Sequence, residues 1–139
     1  MRLVGWTTHD GSRRVADSYR QYKHHAVIAF SEDHFASAIA FYAVVHFDYD
    51  QIATAFKEVN RVLKKGAHFL LSYHVGEDTV HFDNADGIAV DIDVHFLKTE
   101  RILELLNANG FRIIDTVERL PYPDVEWATR RAYVWTETC

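Results

Sequence analysis

The longest patterned stretch of the chain runs from Phe35 to Tyr73, FASAIAFYAVVHFDYDQIATAFKEVNRVLKKGAHFLLSY. Two apolar runs, Ala36–Val45 and Ala67–Tyr73, flank an amphipathic segment. There Ile52, Ala55, Phe56, Val59, Val62 and Leu63 recur at three- and four-residue steps, the spacing of a helix with one buried face. Lys64-Lys65-Gly66 predicts its end, since cations suit a helix C-terminus and glycine takes the left-handed conformation that closes one. The flanking runs are too continuously apolar for strands with one wet face. They predict strands over Ala36–Val44 and Ala67–Tyr73 covered on both sides, as in a parallel sheet. Strand, helix and strand with short links form a βαβ unit of right-handed crossover.

Outside this unit the pattern is more broken. Leu3–Thr7 reads as a short strand and His9-Asp10-Gly11 as a turn. Ser12 is a suitable N-cap for a helix through Lys23, with Val15, Ala16, Tyr19 and Tyr22 on one face. His24–Phe30 returns toward the core, and Ser31-Glu32-Asp33-His34 is a polar turn. After Ser72 the segment YHVGEDTVHFDNADGIAVDIDVHF reads as polar and irregular, except that Asp91–His95 alternates. Thr99 is expected to cap a helix carrying Ile102, Leu105 and Leu106, which Asn109-Gly110 stops. Phe111–Val117 and Ala132–Thr136 read as strands, the last returning antiparallel beside the previous one. Pro121-Tyr122-Pro123 breaks pairing between them.

Several of these segments carry a family resemblance. FYAVVHF at Phe41–Phe47 and EVNRVLKKGAHFLLS at Glu58–Ser72 resemble the second half of class I S-adenosylmethionine-dependent methyltransferases. The family wording at the second site is E-x-x-R-V-L-K-P-G-G; Lys65 stands in place of its proline and Ala67 in place of its second glycine. LLNANGFRI at Leu105–Ile113 and PYPDVEWATRRAYV at Pro121–Val134 continue the likeness, which covers Phe30 to the end. The resemblance implies an α/β, Rossmann-like three-layer fold truncated at the N-terminus. Its parallel sheet is extended on the second strand's side by the two C-terminal strands, one of them antiparallel. It also implies S-adenosylmethionine as cofactor and a small-molecule methyl acceptor.

The family's glycine-rich cofactor loop has no counterpart, because no two of the glycines at 5, 11, 66, 76, 87 and 110 are spaced as G-x-G. Two readings therefore stand beside each other: a methyltransferase, and a non-catalytic methyltransferase-like remnant that serves as a binding or dimerisation module. Carried over by resemblance, Phe41 and Tyr42 fall at the cofactor side of the crevice, and Asp10 is the one nearby acid for the ribose hydroxyls. His46 follows the strand where a proton acceptor would sit, its unperturbed pKa near 6.5 suiting that role. The bland reading is a histidine bonded to backbone. His74 and Glu77 follow the second strand, where open α/β sheets bind ligands, and are expected to meet the acceptor. Tyr122 and Arg130 sit in the connection that points toward the substrate pocket. Arg130 could bind a carboxylate through its planar fork, or pair with Glu118 or Glu126.

Composition narrows the field. At 139 residues the chain is read as one domain, 1–139, long enough for a real core. A net charge of −5 removes the general electrostatic case for nucleic acid or anionic membranes. No apolar run reaches the roughly 20 residues of a membrane helix. The single cysteine, Cys139, makes a cytoplasmic setting the expectation. Asp91, Asp93 and His95 would share one face of a strand, and with His74 and His81 they offer oxygen and nitrogen ligands. No established ligand spacing supports that set, so no metal ligand is assigned, and a metal-dependent enzyme is a third reading. Without a strand on its far side, Ala36–Val44 would leave a bare apolar edge. Either Leu3–Thr7 fills it, or two copies pair there as a homodimer.

Overall fold

The computed structural model describes residues 28–139. The expected strand Leu3–Thr7, the expected helix Ser12–Lys23 and Asp10 lie outside the described residues. The order of elements is β1 (Phe35–Phe41), a 3-10 turn (Val44–His46), α1 (Tyr49–Val62), β2 (Leu63–His74), β3 (Thr79–Ala85), β4 (Ile88–His95), α2 (Thr99–Ala108), β5 (Phe111–Arg119) and β6 (Arg131–Thr138).

Four strands form one sheet in the order β1-β2-β6-β5. β1 and β2 run parallel, with Ile39 opposite Leu70, while β6 runs antiparallel to both β2 and β5. This is the expected βαβ unit extended on the β2 side, with the antiparallel strand inserted between β2 and β5.

The buried side chains of the sheet alternate. Ala40 on β1, Ala67, Phe69, Leu71 and Tyr73 on β2, and Ala132 and Val134 on β6 share one core with Ile52, Phe56 and Val59 of α1 and Ile102 and Leu106 of α2. Phe56, Phe69 and Phe111 meet with centroids 5.4–6.5 Å apart. Each such ring contributes about 1.5–3 kcal/mol of burial. Asp48 starts α1 through a capping box: Gln51 N–H donates to its carboxylate at 2.8 Å, and its own N–H donates to Gln51 Oε1 at 3.0 Å.

Several expectations are corrected. Among the described residues both helices pack on one face of the sheet. The opposite face leaves Ile39 (50%), Phe41 (53%) and Trp135 (43%) exposed. β1 stops at Phe41 instead of Val44, because Tyr42 takes φ +50° and Ala43, Val44 and Val45 turn inward to bury fully. α1 ends at Val62, and Lys64-Lys65-Gly66 bulges out at the start of β2, between the pairs Phe35–Leu63 and Ser37–His68. Thr99 does not cap α2; its hydroxyl donates to Glu118.

The stretch after Ser72 is ordered, not irregular. It contains an antiparallel hairpin, β3–β4, that turns at Asp86-Gly87 with φ of +51° and +84°. Both central residues are left-handed, as the type I′ turn requires, and glycine takes the second position without strain. No helix among the described residues is long and apolar enough to cross a membrane.

Candidate functional site

The carboxyl ends of β1 and β2 lie side by side, and the next residues of each strand make the site. The Tyr42 N–H donates to the Ser72 carbonyl at 2.9 Å, with Ser72 Oγ at 3.3 Å. These bonds hold Tyr42 in a backbone conformation that bulky residues rarely adopt, at a cost of order 1–3 kcal/mol. The result is a tyrosine ring over His74, with centroids 4.8 Å apart. The Tyr42 hydroxyl reaches that of Tyr133 on β6 at 3.4 Å, and burial raises its pKa.

His74 closes β2. Its ring meets Trp127 edge-on at 5.1 Å and Phe96 at 5.9 Å. Phe96 comes this close because position 76 is glycine: a Cβ there would stand 3.0 Å from the Phe96 Cβ. Nδ1 of His74 shares a hydrogen bond with the Thr129 hydroxyl at 2.6 Å, while Nε2 has no hydrogen-bond partner among the described residues. Burial, and then the neighbouring Arg131 guanidinium, lower the His74 pKa, so the ring is neutral near pH 7.

The charges beside these rings are paired within the chain. Arg119 grips Glu126 through both oxygens at 2.8 Å and also donates to the Tyr133 hydroxyl at 2.9 Å. Its guanidinium lies 4.4 Å from the centre of the Tyr122 ring. Glu126 is held down to about 2 by Arg119 and the Tyr122 N–H. Arg131, almost wholly buried, donates to the carbonyls of Trp127 and Thr129 and lies 3.5 Å from Glu126.

The expected site residues separate into groups. Tyr42 and His74 are brought together, and Tyr122 joins their surroundings through Arg119. Phe41 lies on the open face of the sheet. Arg130 donates to Glu118 at 2.8 Å, which is the structural alternative offered for it. Glu77 pairs with Lys98 at 2.6 Å. His46 is held by β4: its Nδ1–H donates to the Asp93 carbonyl at 2.9 Å, and burial lowers its pKa.

The metal reading finds no support here. Asp93 is taken by His81 at 2.8 Å and His95 by Thr79 at 2.9 Å. Among the described residues no group of three or more His, Cys, Asp or Glu side chains is placed to hold a metal. Sequence reasoning missed Phe96, Arg119, Trp127, Thr129 and Tyr133 as individual residues. The motif Pro121–Val134 pointed at the region, but only the register of β6 against β2, Arg131 opposite His74, brings it to the strand end.

An S-adenosylmethionine site needs backbone that a ligand can approach closely and a carboxylate for its ribose. Among the described residues, the Cβ positions of Gly76 and Gly110 are closed by Phe96 and Asn60, and Gly66 and Gly87 lie at a strand bulge and a hairpin tip. Among the described residues the glycines do not form such a cradle.

No protein-family model matches the chain, and no curated protein matches it in sequence. Solved structures do match its fold. An S-adenosylmethionine-dependent methyltransferase from Methanosarcina mazei superposes with a TM-score of 0.69 at 15% identity, over 81% of this chain and 63% of that one. The 1,6-didemethyltoxoflavin-N1-methyltransferase of Burkholderia thailandensis, solved with 1,6-didemethyltoxoflavin and S-adenosylhomocysteine, gives 0.61 at 16% identity over 78% and 46%. The [4+2]-cyclase SpnF gives 0.57 at 15% over 81% and 53%.

The chain therefore has the fold of class I S-adenosylmethionine-dependent methyltransferases. It spans just under two thirds of the Methanosarcina protein and about half of the other two. Because the same fold carries a cyclase, activity has to be argued from the site.

Proposed function

We propose that the chain is an S-adenosylmethionine-dependent methyltransferase acting on a small-molecule acceptor, and that the described residues build the acceptor side of its active site. The observation that carries this reading is the strained Tyr42 turn, which sets a tyrosine over an unpaired histidine nitrogen at the carboxyl ends of two adjacent parallel strands. The Burkholderia neighbour, which holds 1,6-didemethyltoxoflavin and S-adenosylhomocysteine, supports a small-molecule acceptor. S-adenosylmethionine, when bound, supplies the methyl group. Phe41 and Tyr42 would form one wall for it, with Asp10 proposed for the ribose.

The chain's own residues bind and orient. Tyr42, Phe96 and Trp127 exclude water from around His74, and Nε2 of His74 accepts the proton of the acceptor hydroxyl or amine. His46 is the second proton acceptor to consider, since its Nδ1–H is engaged by a carbonyl and its Nε2 carries the lone pair. Alignment does much of the work of such a reaction, so removal of either histidine should cost no more than general-base catalysis supplies, on the order of 10²–10⁴-fold. The test is transfer of labelled methyl from S-adenosylmethionine to a panel of phenols and amines. Transfer reduced on that scale by His74→Ala, with His46→Ala less affected, supports the assignment. Full transfer by His74→Ala contradicts it.

A second reading is favoured by a separate observation. Ile39, Phe41 and Trp135 stand exposed on one sheet face, and β1 is an edge strand among the described residues. A non-catalytic module that dimerises through that edge would use both features. Sedimentation showing only monomer at micromolar concentration would remove it.

A further inference from the structure

The connection between β5 and β6 is unusually apolar on its outside. Leu120 (70%), Tyr122 (62%), Val125 (79%) and Trp127 (42%) are all exposed there. Phe82 of the β3–β4 hairpin reaches across to Trp127, with ring centroids 6.0 Å apart. This surface is continuous with the crevice, because Trp127 also touches His74 and Phe96 at 5.1 and 5.3 Å.

The cations around it are already engaged, Arg119 and Arg131 with Glu126, Arg130 with Glu118, and Lys98 with Glu77, and Asp124 is the carboxylate of the connection outside these pairs. An anionic ligand would have to break one of these pairs, and a cation at His74 would meet the charge of the neighbouring Arg131. What the crevice leaves available is ring surface and one histidine nitrogen. When the Thr129 hydroxyl accepts from Nδ1–H, Nε2 of the neutral ring carries the lone pair and accepts a hydrogen bond.

We propose that this crevice binds a planar, uncharged aromatic molecule bearing a hydroxyl group, its ring against Trp127 and its hydroxyl donating to Nε2 of His74. The inference rests on the reading of the crevice as the acceptor site, and narrows the acceptor to a phenol-like class. Ring stacking supplies the affinity, and the histidine supplies the preference for a hydroxyl over the same molecule without its proton.

The test is a calorimetric titration of the full chain at pH 7.5 with four probes: 2-naphthol, 2-methoxynaphthalene, 2-naphthoate and benzyltrimethylammonium. The account expects 2-naphthol to bind best, with each of the others at least about 10-fold weaker. Trp127→Ala should weaken 2-naphthol about 10-fold or more while Trp127→Phe keeps most of the binding. His74→Ala should erase the preference for 2-naphthol over its methyl ether. Each variant is first shown to melt cooperatively at a temperature near that of the parent. Equal or tighter binding of the anion or the cation overturns the inference, as does undiminished binding by Trp127→Ala, or no binding of 2-naphthol.

The same samples are titrated with S-adenosylmethionine. If the chain binds 2-naphthol but shows no binding of S-adenosylmethionine, the inference stands and the methyltransferase reading falls. The reverse result removes the inference alone.

Discussion

Glu126 receives both nitrogens of Arg119 and the Tyr122 N–H, which hold its carboxyl near 2 against about 4.3 in an unfolded chain. The folded state therefore holds the carboxylate, and its contribution to stability is complete above the unfolded value and lost as pH falls through 4 toward 2. Melting temperature against pH should show this: Glu126→Gln should melt below the parent at pH 7, and the gap should close by pH 2–3. A gap independent of pH would contradict the pairing. His74 works in the opposite sense, since its pKa is lowered on folding. The unfolded chain binds the extra proton, so the His74 contribution falls as pH drops below about 6.5. A proton NMR titration should find His74 as one of the less basic histidines.

Tyr73 offers a stability test. Its hydroxyl is buried near the Thr99 side chain without a well-formed hydrogen bond, and burial pushes its pKa to about 12. Tyr73→Phe should leave stability unchanged or raise it by about 1 kcal/mol in urea unfolding, whereas Phe56→Ala, which opens the ring cluster, should cost about 3–5 kcal/mol. Little of this residue-level detail could be read from the chain. The Tyr42 conformation follows from a bond to Ser72, thirty residues away, and no local pattern announces a left-handed tyrosine. Thr129 and Trp127 reach His74 only through strand register. What could be read was the position of His74 at the end of β2, because the end of an apolar run required no knowledge of neighbours.

At the scale of elements, the sequence patterns with one buried face were legible. The three- and four-residue spacing found α1, and the apolar runs found β1 and β2. The ends were less so. Val44 and Val45 look like strand in sequence yet turn inward, because the core needed side chains beyond the end of β1. The hairpin was missed for a different reason: alternation was legible only in Asp91–His95, whereas His81-Phe82-Asp83-Asn84 in β3 shows a single apolar position, although Asp86-Gly87 is the strongest local hairpin signal. Gly87→Val should place a branched residue at φ +84° and loosen the hairpin. Limited proteolysis should then cut within 79–95 while the far-UV signal of the helices persists. Uncut hairpin would contradict the assignment of the turn. Asp48→Ala, which removes the capping box, should cost about 1 kcal/mol.

At the scale of the molecule, the described sheet is half dressed. Helices cover one face, and the row Ile39, Leu70, Trp135 crosses the other. Sequence alone led to an expectation of cover on both sides, because β1 and β2 are apolar at consecutive positions, and that apolarity is real. What covers the second face was not legible from periodicity, which reports that a side chain is suited to burial and not what buries it. The family resemblance anticipated two C-terminal strands on the β2 side, one of them antiparallel, but not that β6 would lie between β2 and β5.

Calorimetric titration of S-adenosylhomocysteine into the purified chain tests the central claim most directly. The account predicts micromolar binding, weakened at least about 10-fold by Tyr42→Ala in a protein that still melts cooperatively. No binding at millimolar ligand, from a chain that unfolds in one cooperative transition, would contradict it, and would leave a methyltransferase fold that serves another purpose.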